Sequence, residues 1–146
     1  MLVDGRVITN PAARVRIDAS VRVQAACRLR GDIKLSLALD HLRVRIGGWV
    51  AADVGASAGG FTTALLERGA ARVYAIDVGV GQLVGRLRAH ERVVNLEGHN
   101  LGSISCQHVP EPVDLVTVDL SYLSVAGAVP QLEALEIAKG ADLFTL

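Results

Sequence analysis

Aromatic residues are scarce. Only five occur among the 146, Trp49, Phe61, Tyr74, Tyr122 and Phe144, too few for a surface that holds nucleic acid mainly by stacking bases on rings. Of the five, Tyr122 alone, beside Asp119, is placed to touch a flipped nucleotide; the others read as core. Cysteine is scarcer still. Cys27 and Cys106 stand far apart with no CxxC or Cys/His spacing, which excludes a disulfide framework and a structural zinc site. Long apolar runs are missing too: the longest charge-free stretches, 54–66, 98–110 and 120–132, are 13 residues each, short of the roughly 18–20 that a bilayer-spanning helix requires. The first residues, MLVDGRVITNPAARVR, have no apolar segment followed by a small-residue cleavage site, so the expectation is a cytoplasmic protein without a secretory signal. A GxSxG motif is absent and no Ser/His/Asp grouping is visible, which excludes serine hydrolysis. His41, His90, His99 and His108 show no metal-ligand spacing, so no metal site is expected.

What is present is apolar material and an uneven distribution of charge. At 51% hydrophobic and a mean hydropathy of +0.38, the chain has enough to bury for one domain of ordinary size. The formal net charge is zero, yet residues 1–48 hold nine basic against four acidic side chains and the remainder six against eleven. Eight of those nine are arginine, whose planar fork grips phosphate in two places. An anionic partner such as nucleic acid fits this asymmetry; a solvated face is the alternative.

Residues 2–24 read as β-hairpin material, with a turn at Thr9-Asn10-Pro11 and with Val15, Ile17, Val21 and Val23 alternating with polar neighbours. Residues 32–43 place Ile33, Leu37 and Leu42 with Leu35 and Leu39 at helical spacing, and Asp32 is positioned to cap the start. From 49 onward strand and helix alternate: strands at 49–54, 72–77, 92–97, 114–119 and 142–146, helices at 61–68, 82–89 and 125–138. Such alternation builds a parallel sheet covered on both faces, a Rossmann-like α/β architecture.

The loop between the first of these strands and its helix reads Asp53-Val54-Gly55-Ala56-Ser57-Ala58-Gly59-Gly60-Phe61. In an open parallel sheet, ligands bind beyond the carboxyl ends of the strands, where this loop lies. Its spacing is GxxxGG rather than the GxGxxG of dinucleotide folds, which counts against a nicotinamide-dependent oxidoreductase. An acid directly before the loop, Asp53, repels phosphate and suits a cationic ligand; S-adenosylmethionine, a sulfonium with an α-amino group and no phosphate, meets that description. Asp77 closes the next strand 24 residues later, near the spacing at which an acid binds ribose hydroxyls. Asp119 closes the fourth, so three strands end in aspartates on one rim.

The runs DVGASAGGFTTALLERGAARVYAIDVGVGQL and EPVDLVTVDLSYLS resemble the TlyA-type (haemolysin A) ribosomal RNA methyltransferases, which share an FtsJ-like catalytic domain. The likeness covers 49–146. LVDGRVITNPAARVRIDASVRV is similar to the second half of the S4 RNA-binding module that precedes this domain in the family, and RGDIKL resembles the family's RGGxKL segment. The resemblance implies a class I S-adenosylmethionine-dependent methyltransferase fold with an N-terminal remnant of an S4 module, divided into residues 1–24 (S4-like), 25–48 (linker and a helix bearing a catalytic lysine) and 49–146 (FtsJ-like domain).

It further implies 2′-O-methylation of ribose in ribosomal RNA by a Lys-Asp-Lys-Glu set, of which the first lysine falls on Lys34 and the aspartate on Asp119. A ribose hydroxyl is a poor nucleophile, and a positioned lysine and aspartate orient it and assist proton loss. The cofactor positions fall on Asp53, Gly55, Ser57, Gly59, Gly60 and Phe61, with Asp77 at the ribose and Asn100 near the adenine. The family's VKPQFE-like segment with the second lysine, and its later glutamate, have no counterpart in this sequence; Lys139 lies at the wrong end of the fifth strand to replace that lysine. The expectation is therefore an incomplete sheet and an activity impaired by truncation, with a non-catalytic cofactor- or RNA-binding domain as the alternative. A bare sheet edge also invites self-association into a homo-oligomer. Ribosomal RNA or a ribosomal subunit is the implied partner of the basic N-terminal segment, and no membrane contact is expected.

Overall fold

The computed structural model describes residues 2–8, 13–22, 29–120, 124–134 and 140–145. Near the N-terminus, β1 (Leu2–Val3), β2 (Arg6–Val7) and β3 (Val21–Arg22) form an antiparallel sheet in the order β2-β1-β3. The hairpin turns on Asp4 and Gly5, both left-handed at φ 47° and 80°, the conformation a tight two-residue turn demands and an Asp-Gly pair supplies. Of the hairpin material read over residues 2–24, the β1–β2 hairpin and a strand at Val21–Arg22 are present, whereas Val15 and Ile17 are exposed and lie outside any strand. Alternation without a surface to pack against does not hold a strand. Thr9-Asn10-Pro11, Val23, Cys27, Tyr122 and Lys139 lie outside the described residues.

Helix α1 (Arg30–His41) buries Leu35 and Leu39 and leaves Ile33 and Leu37 exposed. Its start is Leu29 rather than Asp32, which sits buried in the first turn and accepts a hydrogen bond from Ser36 Oγ at 3.4 Å. After it come β4 (Val50–Val54), α2 (Gly60–Glu67), β5 (Arg72–Asp77), α3 (Gly85–Arg88), β6 (Val93–Glu97), a 3₁₀ turn at Leu101–Ser103, β7 (Leu115–Val118), α4 (Val125–Ala134) and β8 (Asp142–Thr145). The helix expected over 82–89 is reduced to one turn. Ahead of that turn, the N–H groups of Gln82 and Leu83 donate to Glu97 Oε1 at 2.6 and 2.9 Å.

The main sheet is parallel, in the order β6-β5-β4-β7-β8. Both faces are buried. Ala51, Val73, Ala75 and Leu115 pack with Leu35, Leu39, Phe61, Leu65 and Leu87 of the helices on one side. Ala52, Val54, Tyr74, Ile76, Val116 and Val118 pack with Leu101, Val109 and Leu132 on the other. Double burial explains why these strands read as unbroken apolar runs rather than alternating ones. Chain order reverses between β4 and β7, and such a reversal opens a crevice at the carboxyl ends of the two strands.

Candidate functional site

That crevice is a groove of about 230 Å³ lined by Leu29, Arg30 and Gly31 at the start of α1, by Gly55, Ala56, Ser57, Ala58, Gly60 and Phe61 of the glycine loop, and by Asp119. The loop crosses the end of β7 closely enough to exclude any side chain at Gly55: with φ at 87°, its Cβ would fall 2.3 Å from the Asp119 carbonyl oxygen. Ser57 is held left-handed at φ 47°, uncommon outside glycine and concentrated at binding sites. The structure shows what fixes it. Its N–H donates to Asp77 Oδ2 at 2.8 Å and its hydroxyl to Gln82 Oε1 at 3.3 Å.

Lys34 and Asp119 stand 85 positions apart in the chain and meet here, Nζ to Oδ1 at 3.4 Å, each side chain about half exposed. The same ammonium lies 5.8 Å from the centre of the Phe61 ring. Sequence-implied site residues thus converge on one groove: Lys34, Gly55, Ser57, Gly60, Phe61 and Asp119 line or border it, and Asp77 braces it through Ser57. Gly59, at φ 92°, turns the chain into α2 with its missing Cβ facing Leu87.

Two residues lie elsewhere. Asn100 is exposed at the start of the 3₁₀ turn, its carbonyl accepting from Ser103 Oγ at 2.8 Å, and is not part of the groove lining. Asp53 is fully buried. Its strand register explains the depth: Asp53 pairs with Ala75 and Thr117, whereas Asp77 and Asp119 stand two residues nearer the rim. Thr62 Oγ1 donates to one carboxylate oxygen at 2.6 Å and Thr117 Oγ1 to the other at 3.2 Å. Desolvation pushes its pKa from 3.8 up to about 6, against the hydrogen bonds of Thr62 and Thr117 that favour the ionised form. At this depth the Asp53 carboxylate does not line the groove; the carboxylate that does is that of Asp119.

A residue the sequence did not single out holds the outer wall. Glu97 accepts the Gln82 and Leu83 N–H groups and Asn95 Nδ2, and Arg88 lies 3.4 Å from it. These donors, with the Leu83 backbone bond foremost, hold its pKa down at about 2 from an ordinary 4.5. An acid with a lowered native pKa gives stability that is complete above its unfolded value and lost as pH falls toward the folded one. Thermal melts of the wild-type chain are thus expected to lose Glu97's contribution between pH 4.5 and about 2, a part of the acid slope that Glu97→Gln abolishes.

Among the described residues no grouping of His, Cys, Asp and Glu could hold a metal ion, Cys106 is a free exposed thiol, and no helix is long and apolar enough to cross a membrane.

Comparison with known proteins agrees with this geometry. The family model described as FtsJ-like methyltransferase matches residues 27–145. The chain is 41% identical over 134 residues to the 16S/23S rRNA (cytidine-2′-O)-methyltransferase TlyA of Mycobacterium tuberculosis, an alignment covering 89% of this chain and 50% of that protein. It is 33% identical to Hemolysin A of Brachyspira hyodysenteriae, covering 89% of this chain and 55% of the relative. A solved structure from Streptococcus thermophilus, of a protein named as a hemolysin, superposes with a TM-score of 0.70 at 31% identity over 80% of this chain and 43% of its own. The chain spans about half the length of the curated relatives it matches. It belongs to the FtsJ-like methyltransferase family.

Proposed function

We propose that this chain is the cofactor-binding and catalytic part of an S-adenosylmethionine-dependent RNA methyltransferase that modifies the 2′-hydroxyl of ribose in ribosomal RNA. The observation that carries the reading is the meeting of Lys34 and Asp119 at the rim of the glycine loop. The groove's chemistry suits the cofactor. Gly55 leaves no side chain at the loop's crossing of β7, and Asp77, which accepts the Ser57 N–H, stands at the end of β5 where an acid suits ribose hydroxyls. In this reading Gly55, Ser57, Gly59, Gly60, Phe61 and Asp77 hold the cofactor, which supplies an electrophilic methyl group on a sulfonium. Asp119 accepts a hydrogen bond from the ribose hydroxyl and draws its proton, while the Lys34 ammonium offsets the negative charge that grows on the hydroxyl oxygen. The 3.4 Å approach of the two groups places both beside the same hydroxyl.

The M. tuberculosis relative is named for a cytidine ribose, and a cytidine of ribosomal RNA is the substrate we propose here. Residues 1–24 serve as an S4-like RNA-binding segment and 25–48 as the linker bearing the lysine. The surplus of arginine before residue 49 contacts RNA phosphates, in a chain that works in the cytoplasm. Calorimetric titration with S-adenosylmethionine, followed by transfer of labelled methyl groups to ribosomal subunits, tests the proposal. Cofactor binding together with label on a ribose 2′-oxygen is expected. A folded chain that binds cofactor but transfers nothing is a binding domain instead.

A further inference from the structure

Helix α1 crosses α2 at a point where neither helix carries a side chain. A Cβ on Gly60 would lie 2.9 Å from Gly31 Cα and 3.0 Å from the Asp32 nitrogen, and one on Gly31 would lie 3.2 Å from Phe61 Cδ1. Neither glycine is left-handed, so backbone conformation does not require them. Both stand in the first turn of a helix, where alanine is the better former. Close approach of the two backbones is the reason that remains.

The consequence falls on Lys34. It lies three residues after Gly31, on the same helical face, and its ammonium rests between the ring of Phe61, the residue after Gly60, and Asp119 at 5.8 and 3.4 Å. Separating the two helices by a few tenths of an ångström carries Lys34 away from both. We infer that Gly31 is a positioning residue: its close contact with Gly60 and Phe61 sets the distance between the catalytic lysine and the reacting hydroxyl, beside Gly60's own place in the cofactor loop. The inference rests on the proposed role of Lys34.

The test uses Gly31→Ala and Gly60→Ala in the full chain. Methyl transfer at saturating cofactor is expected to slow about tenfold or more, since small misplacements of a reacting group are costly. In Gly31→Ala the dissociation constant for S-adenosylmethionine stays within about twofold, because that alanine strains the helix crossing and leaves every residue of the glycine loop in place. In a Lys34→Ala background Gly31→Ala adds no further loss, as expected of two residues acting as one unit. Proton NMR gives a reading independent of activity: the ring-current displacement of the Lys34 ε-methylene protons over Phe61 shrinks in both glycine variants. Should Gly60→Ala prove unfolded in a thermal melt, the milder Gly31→Ala carries the same comparisons.

Weakened cofactor binding by Gly31→Ala with an unmoved lysine signal overturns the inference and makes Gly31 a cofactor contact. Equal losses with and without Lys34 overturn it as well. If Lys34→Ala alone leaves transfer intact, the catalytic reading of Lys34 fails, whereas the NMR comparison still decides whether the glycines position that side chain.

Discussion

Replacing Lys34 with alanine is expected to slow methyl transfer by about 10²–10³-fold, the range typical of losing one preorganised donor to developing charge, with cofactor affinity and melting temperature nearly unchanged. The asymmetry follows from where the side chain sits. Lys34 and Asp119 are each about half exposed, and an ion pair between solvent-bathed groups contributes only about 0–1 kcal/mol to stability. The aliphatic stem leaves α1 on an exposed position and fills no part of the core. In the proposed reaction the same ammonium faces charge that develops only in the transition state, where a preorganised donor has its largest effect. Single-turnover transfer to ribosomal subunits under saturating cofactor measures the chemical step directly. A rate within about threefold of wild type would remove Lys34 from catalysis, because losing a donor to developing charge costs far more than that.

Much of the fold was legible because double burial writes itself into composition. The strands of the main sheet appear as short apolar runs, and observed bounds such as Arg72–Asp77 and Asp142–Thr145 lie within those read from sequence. The convergence of Lys34 and Asp119 was legible through family likeness alone; nothing in spacing brings positions 85 apart together. What sequence could not show was depth. Asp53, Asp77 and Asp119 look equivalent as acids at strand ends, yet register sinks Asp53 by two residues and folds Thr62 and Thr117 over it. Glu97 was equally hidden, since its role depends on a loop whose N–H groups lack helical partners. At the N-terminus the alternating pattern is realised in part: Val21 enters β3 and pairs with β1, while Val15 and Ile17 stay exposed outside any strand.

The depth of Asp53 makes a prediction that runs against its family assignment. Asp53→Asn is expected to stabilise the chain at neutral pH by up to about 3 kcal/mol, the rise from 3.8 to about 6 converted at 1.36 kcal/mol per unit. An asparagine keeps the shape and removes the cost of a buried charge. Its oxygen accepts from one threonine and its amide donates to the other, while Thr117 retains an alternative acceptor in the Ala52 carbonyl at 3.5 Å. The sign with pH is fixed by linkage. Below about 4 the carboxyl is protonated in both folded and unfolded chains, so wild type and variant melt alike. Between 3.8 and 6 the folded wild type binds the extra proton, so its stability falls as pH rises, and the variant's advantage grows across that window and then levels. Melting curves of both proteins from pH 4 to 8 measure it, and calorimetry with S-adenosylmethionine at pH 7.5 supplies the functional half. Because Thr62 and Thr117 already take both carboxylate oxygens, cofactor affinity is expected to persist in the variant. A more stable Asp53→Asn protein that no longer binds cofactor would mean that the buried charge, felt through α2 and the loop, is itself what the cationic ligand requires.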